Sequence, residues 1–366
     1  MERKKIETKH VLFIFIVQTI LATLFSLVTI FLQNKELAVL LNYGFSQLAL
    51  AIAVLFIVQM QRLDFFDAVP IKKRKINWLI LALMPIIAVA LLAQNTLLLS
   101  GFAVLMESLN IELNVPFPDL TKNAGVFIGA IILIGIVPPI VEEIYFRGVV
   151  LSAIKNRGMV YAVLVNATVF ALAHMNVAQL VHQFIVGALL AYIVLKTDNI
   201  WYAIAIHMTN NIIGVLLILS EWYSSLADMS KTSIITMVIM MVVGFVVLVG
   251  CLILFRRLSE KDAEKAAEEK KSKESDRQDL LQTEEKLSQI YGLDSGYKEV
   301  LYTGTNKEDP AEEDKIIDKA LDNLKKKPSK LVDISILAIC LFCTLIMIIS
   351  MVVTSVVANM PIDFFE

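Results

Sequence analysis

Long apolar runs recur through this chain, and they constrain its fold more than any other feature. A helix rises about 1.5 Å per residue, so about 20 apolar residues cross a hydrocarbon core. Runs approaching or exceeding that length are His10–Leu32, Val39–Met60, Ile76–Leu99, Ala124–Ile154, Val160–His174, Val177–Leu195, Ile200–Leu219, Thr232–Phe255 and Leu331–Val357. The fifth is short and partly polar, and Lys155 and Arg157 mark a turn before it. A soluble domain does not carry 57% hydrophobic residues. The expected fold is all-α: a polytopic membrane bundle of about nine transmembrane helices.

The first run follows Glu2–Lys5 but is too long for a signal-peptide core and has no small-residue cleavage site after it, so it reads as a retained helix. A net charge of −2 offers no concentrated basic face, and no nucleic-acid partner is expected. Cys251, Cys340 and Cys343 lie in apolar runs and read as small buried hydrophobes without a chemical role.

Basic residues alternate with the runs. Arg3, Lys4, Lys5 and Lys9 flank the first; Arg62 and Lys72–Lys75 separate the second and third. Lys155 and Arg157 follow the fourth, Lys196 the sixth, and Arg256 and Arg257 the eighth. With nine spans all of these fall on one side, which the positive-inside rule makes cytoplasmic. The amino terminus is then inside and the carboxyl terminus outside. Residues 256–330 hold 17 basic and 19 acidic residues, more than half the charges of the chain, so they form a cytoplasmic insert rather than a span. Their Glu/Lys spacing suits a solvated helix that joins two spans or docks a cytoplasmic protein. The expected division is a membrane core at 1–255, the insert at 256–330, and an extra span with a short tail at 331–366.

Within the apolar runs sit residues that a bilayer tolerates poorly. Glu142, Glu143 and Arg147 lie on the fourth run, His174 ends the fifth, His182 is on the sixth, and His207 and Asn211 are on the seventh. A charge at the centre of a span costs on the order of 3 kcal/mol, so such groups face a cavity or a partner. Glu143 and Arg147 are one turn apart and can pair, which leaves Glu142 over. Pro138 and Pro139 remove two backbone donors just upstream and predict a local break in the helix.

Their depths agree. At 1.5 Å per residue, Glu142 lies about 20 Å from the loop at Lys155, His174 about 21 Å from the same loop, and Asn211 about 18 Å from the loop at Asn199. A single mid-membrane cluster is therefore geometrically available, as a catalytic or transport site. His182, with Gln179 and Gln183 nearby, reads as a packing residue.

In order along successive runs, EEIYFR gives EExxxR, FALAH (Phe170–His174) gives FxxxH, and HMTNN (His207–Asn211) gives HxxxN. The pattern resembles the CAAX prenyl protease and bacteriocin-processing family of intramembrane endopeptidases, also called the type II CAAX or abortive-infection family. The likeness covers about residues 124–219 and implies an eight-helix protease core, with the insert and last span outside it. It also implies that Glu142 and His174 activate a water while His207 and Asn211 stabilise the oxyanion, with Glu143, Arg147 and Phe170 in support.

These roles make chemical sense. A carboxylate in a low-dielectric pocket suits a general base, and a preorganised neutral amide suits developing negative charge. No bound cofactor is expected. Glu142, His174 and His207 make a plausible zinc set, but the chain has no HExxH and no Cys at the cluster. The family is often called a metalloprotease, and its architecture is also argued to work as a metal-free glutamate protease, the mechanism favoured here. The expected partners are the lipid bilayer and a peptide or membrane-protein substrate; the expected location is a bacterial plasma membrane. Two other functions fit: a catalytically idle scaffold or bacteriocin self-immunity protein of the same family, and a proton-coupled transporter.

Overall fold

The computed structural model describes residues 4–71, 75–111, 117–121, 123–220, 226 and 230–291. Eight principal helices carry the first eight apolar runs: α1 (Thr8–Thr29), α2 (Lys35–Met60), α3 (Trp78–Ser108), α4 (Ala124–Arg157), α5 (Met159–Ala173), α6 (Val177–Thr197), α7 (Ile200–Ile218) and α8 (Lys231–Tyr291). Seven are long and apolar enough to cross a membrane, and α5 is the shorter eighth. The chain is thus an all-α polytopic membrane protein. The ninth expected run, Leu331–Val357, lies outside the described residues.

Helix ends follow the sequence. Asn34, Asn77, Asn123, Asn176 and Asn199 each accept backbone N–H groups as N-caps, of α2, α3, α4, α6 and α7 respectively. Between α5 and α6 the turn is tight, with Met175 at φ 48° and Asn176 already capping α6. Fifteen residues make α5 about 22 Å long, short of the roughly 30 Å hydrocarbon core. The turn that follows His174 has its backbone groups bonded internally, His174 N–H to Ala171 and Met175 N–H to Leu172, as a turn within a bilayer requires.

The long span α4 is not uniform. It passes through π-helical turns at Ile131–Ile136 and Ile144–Val150, separated by an α-helical turn, Val137–Glu143. The break predicted at Pro138 and Pro139 takes this form: the wider turn comes just before the two residues that cannot donate. Gly135 lets this turn approach α7, since a Cβ there would stand 2.9 Å from Ile212 Cγ1.

Around α4, helix α2 packs along one side, α7 along another, and α5 and α6 form a hairpin. Leu40, Val126, Ala130 and Val215 build one apolar cluster; Val69, Ile200 and Ile204 build a second, to which Ile140 and Ile144 add. His207 and Asn211 fall between these clusters along α7.

The described residues divide into two compact units, with the boundary between Arg256 and Arg257. Helix α8, which carries the eighth expected span, continues as helix into the expected charged insert, to Tyr291. No Gly or Pro interrupts 251–291, and its Glu, Lys and Ala residues favour helix, with Lys273 and Glu269 paired one turn apart at 3.3 Å.

Candidate active site

The two adjacent carboxylates of α4 face different surroundings. Glu143 is wholly buried, and its Oε1 accepts from Arg147 Nη1 and from His207 Nδ1, both at 2.8 Å. Glu142 keeps 12% of its side-chain surface exposed. Its Oε2 stands 3.8 Å from His207 Nε2, and its Oε1 accepts a 2.8 Å hydrogen bond from Gln47 Nε2 on α2. The imidazole of His207 is therefore oriented by Glu143 and presents its other nitrogen to Glu142.

Phe170 is the packing centre of the site. Fully buried on α5, it meets the His174 ring edge-to-face at 4.8 Å and the His207 ring at 5.6 Å. The Arg147 guanidinium lies over it at 4.3 Å, and Arg147 Nη2 also donates to the Gly187 carbonyl on α6 at 3.2 Å. One ring thus sets the positions of both imidazoles and of the cation. His174 Nδ1 is 2.8 Å from the Phe170 carbonyl. A carbonyl only accepts, so Nδ1 carries the proton and the neutral ring keeps its lone pair on Nε2.

Asn211 is engaged differently from its expected part. Its Nδ2 donates to the Ile134 carbonyl at 3.1 Å, and its Oδ1 lies 3.4 Å from Asn210 Nδ2. Ile134 is four residues before Pro138 and five before Pro139, so neither an α-helical nor a π-helical main-chain donor can reach its carbonyl. One amide hydrogen of Asn211 takes that place, and the second remains available.

Two residues not expected at the site lie beside these. His182 stands next to Asn210 and within electrostatic reach of His174 and His207. Gln47 reaches Glu142 from a helix with no motif. The signal for His182 was its place on an apolar run between two motif-bearing runs; for Gln47 there was only a neutral polar residue in such a run.

Among the described residues, no three of His, Cys, Asp and Glu are grouped closely enough to hold a metal ion. His207 Nδ1 and His174 Nδ1 are committed to Glu143 and Phe170.

Fold and site together define a helical membrane protein with a carboxylate and imidazole centre between its spans. Residues 124–213 match the family described as "Type II CAAX prenyl endopeptidase Rce1-like". That segment is similar to membrane endopeptidases of this kind over about a quarter of the chain. The chain is also 30% identical over 88 residues to the Bacillus subtilis (strain 168) protein named "Putative membrane peptidase YdiL". The aligned stretch is 24% of this chain and spans about a third, 36%, of that protein. No solved structure matches.

Proposed function

We propose that this protein is an intramembrane endopeptidase with Glu142 as its general base. The observation that carries this reading is the contrast between the two carboxylates: Glu142 is partly exposed and has one oxygen turned to an imidazole, whereas Glu143 is sealed and spent on Arg147 and His207. The match of residues 124–213 to a membrane-peptidase family supports it.

In this mechanism Glu142 takes a proton from a water that also donates to His174 Nε2. The water oxygen attacks the peptide carbonyl, and the negative charge formed on the carbonyl oxygen is met by an amide hydrogen of Asn211 and by the His207 ring, which Glu143 orients at Nδ1. The C–N bond then breaks, and the proton held by Glu142 passes to the leaving amine. Preorganised donors of this kind contribute about 3–4 kcal/mol to lowering such barriers. The setting proposed is a bacterial plasma membrane, with the amino terminus and the 256–330 insert on the cytoplasmic side. The substrate is a peptide segment presented within or at the bilayer.

The test is cleavage by the purified full chain in lipid nanodiscs, read by mass spectrometry on a pool of membrane-spanning peptides and carboxyl-terminal peptides with and without a prenylated cysteine. Wild type is expected to cut at least one, and Glu142→Gln none, at unchanged melting temperature. Equal cleavage by Glu142→Gln would remove the base from the mechanism; no cleavage by wild type would favour the idle scaffold.

A further inference from the structure

We infer that Gln47 is a positioning residue for Glu142, a role resting on the proposed peptidase reading. Gln47 lies on α2, far in sequence from the segment matched at 124–213. It is nonetheless buried at 8% exposure with its Nε2 2.8 Å from Glu142 Oε1.

A carboxylate only accepts, so the amide must turn its nitrogen toward Glu142. In that orientation Gln47 Oε1 is buried with no partner among the described residues. A side chain placed only to fill space in an apolar helix would be cheaper as Leu or Met, since an unsatisfied buried acceptor is unfavourable. The amide keeps that unsatisfied acceptor and holds its donor on the carboxylate.

Holding one oxygen fixes the other. With Oε1 engaged by Gln47, the Oε2 lone pairs are left for water on the side of His207 Nε2, 3.8 Å away. Without Gln47 the carboxylate can rotate about its last torsion, which is broad, and lose that alignment. Close helix contact delivers Gln47: on the same helix Gly44 would, with a Cβ, stand 3.3 Å from Leu133 of α4, and Leu40 lies against Gly129.

The experiment compares Gln47→Leu with wild type in two ways, using the full chain in nanodiscs. On the cleaved peptide of the same pool, kcat is expected to fall about 10- to 100-fold, the scale of a misplaced reacting group, with KM within about twofold. A merely structural role would lower the active fraction and the melting temperature together and leave no such split per folded molecule. In parallel, Gln47→Leu is introduced into wild type and into Glu142→Leu, and melting temperatures are read. The substitution is expected to lower melting in wild type and to leave it unchanged or raise it beside Leu at 142, where the donor has no carboxylate to serve. Equal shifts in the two backgrounds, or a wild-type kcat, would overturn the assignment. Absence of any wild-type cleavage would overturn the peptidase reading and with it the catalytic part of this role, while background-dependent melting would still establish the Gln47–Glu142 bond.

Discussion

His207 places Nδ1 2.8 Å from Oε1 of Glu143, on the same oxygen that receives Arg147. The ion pair and the imidazole are therefore one unit, and Glu143 has two dependants. With both partners at most 2% exposed at the side chain, neither Arg147 nor the Nδ1 edge of His207 is open to bulk solvent when that oxygen is altered.

Glu143→Gln is expected to destabilise the protein by about 3–5 kcal/mol, the range for a buried pair broken on one side. The measurement is thermal unfolding in detergent. Adding Arg147→Gln should recover part of the lost melting temperature, because the stranded cation is gone, without recovering activity, because His207 still lacks its carboxylate. A double variant melting no higher than Glu143→Gln would show that the stranded cation is not what destabilises the single variant.

Much of this was written in the sequence, because insertion into a bilayer makes both apolar runs and buried charges conspicuous. The eight described helices follow from run length, and the pairing of Glu143 with Arg147 from one-turn spacing. A common depth for Glu142, His174 and Asn211 was estimated from residue counts, and His207 lies one turn from Asn211 on the same helix. What escaped were contacts between helices that spacing along one helix does not encode. Gln47 meets Glu142 only because α2 packs on α4, and the second bond of Glu143, to His207, depends on how α7 is rotated. His182 looked like packing because its neighbours His174 and Asn210 belong to other helices. Asn211 points to Ile134 for a local reason, the donor missing at Pro138, that becomes visible only once α7 lies beside that turn.

The charged part of α8 is expected to be cytoplasmic, from the side on which the basic loops collect. In a background with Cys251, Cys340 and Cys343 replaced by Ala, Ser275→Cys should resist a membrane-impermeant maleimide in intact cells and react after permeabilisation. Thr121→Cys, in the loop before α4, should react in intact cells. Labelling of Ser275→Cys from outside would invert the topology.

Gly187 is a point of close approach between α6 and α5. A Cβ there would stand 3.0 Å from Phe170 Cδ1 and 3.1 Å from Ala167 Cα, and the Gly187 carbonyl already receives Arg147. Gly187→Ala should cost about 1–3 kcal/mol by overpacking and should reduce cleavage by moving Phe170. Gly250→Ala is the control: nothing lies within 4 Å of its added Cβ, and alanine favours the helix by about 1 kcal/mol. Melting temperatures of the two should move in opposite directions. An unchanged Gly187→Ala would mean that α5 and α6 can separate without loss.

Asn211 and Pro138 should be thermodynamically coupled although they lie on different helices. Pro138 withholds the N–H that would reach Ile134, and Asn211 Nδ2 supplies a substitute at 3.1 Å. Removing the amide with Asn211→Ala leaves that carbonyl unsatisfied inside the bundle, at a cost of about 1–3 kcal/mol. Pro138→Ala restores a main-chain donor at the same place, so the loss from Asn211→Ala should shrink when both changes are made. The double-mutant cycle, read by thermal or denaturant unfolding, should give a coupling of about 1 kcal/mol, within the usual range for groups sharing a partner. Cleavage should separate the two roles of Asn211. Pro138→Ala with Asn211→Ala is expected to fold well yet cut slowly if the second amide hydrogen serves the oxyanion, whereas near-normal cleavage by that stable double variant would reduce Asn211 to a cap for Ile134. Additive losses in stability would show that Ile134 finds its donor elsewhere.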